Sequence, residues 1–587
     1  MPQVKKDPAV RERELFLRRE RARLRTARIA RRWHSSLLFR ASLAFRETVM
    51  MTNLRAFSLL LAPLGLISVF RALILPLLTD DFPLLLPDGI AGGLVLLLAV
   101  LFFTYNAPFT KVLTEDTLLS RLFFETLALP RPYVSKRRGL PVWLAALAGL
   151  ALGALTLIAS SLLIVSVLAI VSIVMLTLVS PEFGLTLLAI LFPLSALLPD
   201  PILPLAALIL LSLFSYLLKL IRGKRRFSFT LTDLAVLTLA LLFLFSCLFA
   251  HGGSQGRASD GVEAAILLTG GFLLSANLLD TRRTLLHFTK GLIFGGALLG
   301  IAGIFCGAVD LAAPEEASVA LLTALGIAET VMGDAASFTA ILLLLFPLLP
   351  VILGETRISL LATLPAALLI VGALALSLSP LVYLALLLSL LLFVLITHQR
   401  SPLLLVLLFG ILPNLMLLLP ETVTDVLTEI SFLGIGELLD GALLAQTDAL
   451  ALIARHPFGI GLGCADAGNI HLQILSIAGI PALLLFLVLL LSIADCSTRS
   501  EACLREPHLR RLTAGIQSGT FALLILGLLL SPLNDLRVLL VFAMILGLLV
   551  AVRRAIRESD DTPHPTNHKE QNTASVEVRL SRRHGRA

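Results

Sequence analysis

Residues 201–226 read PILPLAALILLSLFSYLLKLIRGKRR. The run of Leu, Ile, Ala and Phe carries no charge until Lys219, and Arg222, Lys224, Arg225 and Arg226 follow at once. A helix rises 1.5 Å per residue, so about 20 such residues cross a hydrocarbon layer roughly 30 Å thick. The apolar residues do not alternate with polar ones, as the strands of a membrane barrel would require. The stretch reads as a transmembrane helix ending in a basic loop, and the rest of the chain repeats that pattern.

Of the 587 residues, 57% are hydrophobic and only 15% are charged. Soluble domains carry roughly 25% charged residues, so a soluble core of this composition would lack the polar residues to cover it. Apolar segments recur at 57–78, 89–105, 141–158, 160–179, 183–198, 201–221, 232–250, 261–279, 290–310, 337–354, 358–376, 380–397, 402–419, 472–494, 514–531 and 536–552. The expected fold is an all-α polytopic transmembrane helix bundle of about sixteen helices.

The loops orient the bundle. With the N-terminus inside, the inner loops hold Lys136, Arg137, Arg138, the 222–226 cluster, Arg282, Arg283, Arg357, Arg400 and the tail after Arg553. Of the 47 Lys and Arg, the outer loops hold only Arg257, Arg455 and Arg537, while Arg71 falls within an apolar segment. Such asymmetry is what the positive-inside rule expects, and it places both termini in the cytoplasm. The net charge of +8 is therefore a topology signal and does not point to nucleic acid. The outer loops are acidic, with Asp80, Asp81, Glu315, Glu316, Glu421 and Asp425 among their residues. Four regions are expected: a basic cytoplasmic tail at 1–52, a helix pair with a basic linker at 53–140, a membrane domain at 141–555, and a polar, disordered tail at 556–587. The first fifty residues are Arg-rich and lack the apolar core of a signal peptide. The five cysteines have no metal-ligand spacing and predict no structural disulfide.

One outer loop, 420–471, is far longer than the others, and loops of that length usually carry function. Leu438, Leu439, Leu443, Leu444, Leu450, Leu452 and Ile453 have helical spacing. They predict an amphipathic helix along the membrane surface, stopped at His456-Pro457. Arg455 at its end, Arg257 in the loop 251–257 and His471 at the start of the next segment are the outer residues suited to chemistry. Arginine grips phosphate through its planar fork, and neutral histidine accepts a proton. Competing readings stay open: a salt bridge from Arg257 to Asp260, a snorkelling end for Arg455, and a helix-end bond from His471 to a carbonyl. Gly459, Gly461 and Gly463 alternate in a tight loop without the flanking strand of a dinucleotide site.

The string Arg455-His456-Pro457-Phe458-Gly459-Ile460-Gly461-Leu462-Gly463 is followed by Asn469-Ile470-His471-Leu472-Gln473 and then Gly479-Ile480-Pro481. This order resembles the signature of the O-antigen ligase/polymerase family over residues 141–555. The resemblance implies a multi-pass protein of the cytoplasmic membrane that moves a polyprenyl-diphosphate-linked oligosaccharide onto a glycan, lipid or protein acceptor. It implies neither a cofactor nor a metal. His471 would act as base with Arg455 as its catalytic companion, and Arg257 and Arg455 would bind the diphosphate. The pattern also departs from the family. The family histidine aligns with Gly468, and the expected arginines fall at Ser377-Leu378-Ser379-Pro380 and near Ala442. A transporter or flippase of lipid-linked glycans, or an inactive partner in envelope assembly, are the alternative readings.

Overall fold

The computed structural model describes residues 37–74, 82–114, 139–197, 200–221, 227–249, 258–312, 335–353, 357–375, 379–397, 441–462, 467–495 and 506–561, together with Arg225 and Ser377. The named elements among them are all helices, with one isolated β-bridge between Asn53 and Pro108. Eight helices are long and apolar enough to cross a membrane: Leu54–Ile74, Ser161–Val179, Leu203–Ile221, Leu231–Leu248, Ser259–Leu278, Thr284–Ile304, Ile470–Ala494 and Leu536–Arg557. Six apolar helices are shorter: Asp88–Phe103, Val142–Leu155, Pro181–Leu191, Ala336–Ile352, Leu364–Ala375 and Leu381–Thr397. The chain is thus an all-helical, multi-pass membrane protein. The expected segment 402–419, residues 1–36 and 562–587 of the two tails and the 115–138 part of the basic linker lie outside the described residues, whereas the tail residues 37–51 and 556–561 are helical.

The final helix, Leu536–Asp561, forms the centre of the bundle. In its apolar stretch 89% of residues are buried, against 11% for Ser161–Val179, which therefore borders lipid. The final helix packs along Ala258–Leu278. A Cβ on Gly547 would lie 2.6 Å from the Phe272 carbonyl oxygen, so glycine lets the two backbones meet. Lipid supplies no hydrophobic drive between such helices, and close backbone packing takes its place.

The helix ends sort into two groups. At the basic end, Glu182 accepts from Lys219 at 2.8 Å and from Arg225 at 2.6 Å, and Arg225 also pairs with Asp280. Burial lowers the Arg225 pKa, but its hydrogen bond to Glu182 and the Glu182 and Asp280 charges outweigh this and raise it above its ordinary value. At the same end Arg553 donates to the Ser492 hydroxyl and carbonyl, Gln517 to the Ile493 carbonyl and Arg510 to the Ile396 carbonyl. These side chains satisfy the last carbonyls of helices whose own ladders have run out.

Arg71, expected inside the membrane, donates to the Thr156 carbonyl at 2.5 Å and the Ala159 carbonyl at 2.9 Å. Asp88 accepts from the Leu162 amide at 3.1 Å. The turn at 156–162 is thus capped from other helices on both sides, which satisfies both charges where water is scarce.

Candidate functional site

The expected surface helix spans 441–455. Its buried side chains are Ala442 and Ala449, whereas Leu443, Leu444 and Leu450 are exposed. The small residues face the protein and the large apolar ones face outward. Gln446 pins it by donating to the Gly468 carbonyl at 3.0 Å and the Leu528 carbonyl at 3.4 Å. Leu438 and Leu439 lie outside the described residues.

The helix ends at His456, whose amide reaches back to the Leu452 carbonyl at 3.0 Å. An extended strap, 456–462, then runs across a break in the helix Ile470–Ala494. Inside that helix Ala478 and Gly479 leave helical geometry, and Gly479 has φ 76° and ψ −175°. Pro481 has no amide hydrogen, so Ile477 loses the donor its carbonyl would ordinarily bond. The Gly461 amide supplies the replacement at 3.0 Å, and the Ile460 amide bonds the freed Ser476 carbonyl at 2.8 Å. The fit needs glycine on both sides. Gly459 and Gly461 have φ of 92° and 91°, and a Cβ on Gly459 would lie 2.3 Å from the Ile477 oxygen. A Cβ on Gly479 would lie 2.5 Å from the Pro457 oxygen. The strap's last described amide, Leu462, donates to the buried Cys247 sulfur at 3.4 Å. Gly463, Cys464 and Arg257 lie outside the described residues.

The break folds the helix back on itself. On a straight helix His471 and Phe486 would be about 22 Å apart. Their rings instead meet edge-on with centroids 6.1 Å apart, and Phe486 in turn packs 5.9 Å from Phe542 of the final helix. The first limb, 470–477, is therefore a short half-helix laid against the second.

Asn469 caps the half-helix, accepting from the His471 amide at 2.8 Å and donating to the Leu528 carbonyl at 3.2 Å. Ile470 donates to the Gly527 carbonyl at 2.7 Å. Gln473 accepts from the Leu533 amide at 3.2 Å, and the Ala467 amide donates to the Ser531 hydroxyl at 3.1 Å. Residues 527–537 thus form a hub to which the surface helix, the segment 467–469 and the half-helix all attach.

The expected site residues divide accordingly. Gly461 joins the His471 helix through a backbone bond, while the Gly459 amide bonds the His456 carbonyl and its Cα lies against the Ile477 carbonyl. His471 is half-buried against Phe486, while Arg455 and His456 are exposed at the other end of the strap. The Arg455 side chain forms no hydrogen bond or ion pair with another described residue. Reading the sequence left one participant unassigned. Arg537, counted among the outer cations, is buried at the hub and held by Asp535 through contacts of 2.6, 2.9 and 3.1 Å. Its signal was an acid two positions before an outer arginine, Asp535-Leu536-Arg537. Among the described residues no three His, Cys, Asp or Glu side chains converge as a metal group would need.

Neither a protein-family model nor a curated protein matches this chain.

Proposed function

We propose that this chain is a ligase or polymerase of lipid-linked glycans, a divergent relative of the O-antigen ligase/polymerase family. In this reading about sixteen helices cross the cytoplasmic membrane, with both termini inside and the strap outside. One observation carries it. The motif pieces 455–462, 469–473 and 479–481 fold into a single unit, in which the Gly-x-Gly strap fills the break made by Gly479 and Pro481.

His471 takes the proton of the acceptor hydroxyl. The acceptor oxygen bonds to the sugar's anomeric carbon as the bond from that carbon to the diphosphate breaks, and polyprenyl diphosphate leaves. Arg455 and Arg257 offset the charge growing on the leaving group. The exposed Leu443, Leu444 and Phe458 would hold the strap at the lipid surface, where a polyprenyl carrier lies.

Deleting the protein and analysing surface glycan tests this. Loss of long chains with single units kept means polymerase, and unattached lipid-linked chains mean ligase. Unaltered surface glycan would refute both. In a complementation strain Arg455→Ala should abolish transfer at unchanged protein level, and retained transfer would remove Arg455 from the mechanism.

The broken helix also favours a second reading, a flippase of the same substrates, because transporters build their sites from discontinuous helices. Lipid-linked glycan accumulating on the cytoplasmic side after deletion would select it.

A further inference from the structure

We propose that Arg537 and Gln473 form a binding site for a diphosphate group at the hub of residues 527–537, in the same neighbourhood as His471. The assignment deepens the glycan-transfer reading and rests on it for the identity of the natural ligand.

Three observations converge. First, Arg537 is 8% exposed, and Asp535 uses only its Nε and one terminal nitrogen. The other terminal nitrogen has no partner among the described residues. A guanidinium has five donors in one plane, so an acid along one edge orients the opposite edge without consuming it.

Second, Gln473 is fully buried. The Leu533 amide must donate to its carbonyl oxygen, which fixes the side-chain orientation and leaves the Nε2 amide as an unpartnered buried donor. Such a group is expensive to leave unbonded and is an expected place for a ligand acceptor.

Third, the two residues are tied together. Gln473 holds Leu533, four positions before Arg537, and Asp535 caps the final helix by accepting from the Arg537 amide at 2.7 Å. The start of that helix adds its own positive end. His471, two positions before Gln473, reaches the same final helix through Phe486 and Phe542. Arg455, by contrast, is exposed beyond the strap. Arg537 is the outer cation already oriented before substrate arrives.

Titration of the full-length protein in detergent with inorganic diphosphate tests the site. Arg537→Ala should weaken binding about tenfold or more, the loss of a charge-assisted hydrogen bond. Arg537→Lys, which keeps the charge but loses the fork, should fall between it and the parent. Gln473→Glu keeps an oxygen acceptor for the Leu533 amide while removing the Nε2 donor, and should also weaken binding. No binding to the parent, unchanged binding in Arg537→Lys and Gln473→Glu, or equal binding of inorganic monophosphate would overturn the assignment. The functional reading fails separately. Arg537-dependent diphosphate binding with surface glycan intact after deletion would keep the site and refute glycan transfer.

Discussion

The final helix and the helix beginning at Ile470 are both long and apolar, yet one runs unbroken through the core and the other folds back on itself. The difference lies in a few residues. Gly547 sits mid-helix where a neighbouring backbone approaches, and every amide around it can continue the ladder. Gly479 is followed two positions later by Pro481, so the ladder loses a donor and the backbone is free to adopt φ 76°. In a membrane a carbonyl released this way has no water to turn to. The break persists because the amides of Ile460 and Gly461 stand in for the missing ones. A discontinuous membrane helix is therefore a property of two segments, and its sequence signature is shared between them.

Substitutions at the two glycines give the largest contrast. Gly479→Ala and Gly547→Ala each bring a Cβ within 2.6 Å or less of a carbonyl oxygen. Only the first also forces a side chain into a positive-φ region that is essentially restricted to glycine, which costs about 1–3 kcal/mol more. Gly479→Ala should thus lower the melting temperature further than Gly547→Ala, as read by size-exclusion survival after heating. Equal losses would mean that the strap yields to the new methyl group.

A smaller effect is expected from Pro481→Ala. It restores an amide that can compete for the Ile477 carbonyl and so frees the amide of Gly461. Hydrogen exchange at Gly461 should accelerate by up to about tenfold, the worth of one hydrogen bond. Unchanged exchange would show that Gly479 alone maintains the break. The smallest effect should come from Gln446→Leu, which removes the tie between the surface helix and the hub at a cost of about 1 kcal/mol. Proteolysis within 441–455 should quicken while the bundle's melting temperature holds.

Much of the architecture was legible because hydrophobic length and charge act locally. The run ending at Lys219 and Arg225 forms a helix whose basic end meets Glu182 and Asp280, with no contrary signal in the loops. The break was not legible. Leu483–Leu485 and Leu487–Leu491 keep hydropathy high across it, and Gly479-Ile480-Pro481 registers as a motif without revealing which distant amides complete it. The surface helix shows a second limit. Its leucine spacing identified a helix, yet Ala442 and Ala449 form the packed face, since in lipid the large side chains can turn outward and the small ones allow close contact. Arg537 was visible as an outer cation, but its burial and its link to Gln473 depend on tertiary contacts between segments more than fifty residues apart.

The side of the membrane on which the strap lies decides the functional account. A single cysteine at the exposed position 456 (His456→Cys, with the five native cysteines replaced) can be probed with a membrane-impermeant maleimide. The account predicts labelling in intact cells. Labelling only after the membrane is permeabilised would put the strap in the cytoplasm and contradict it.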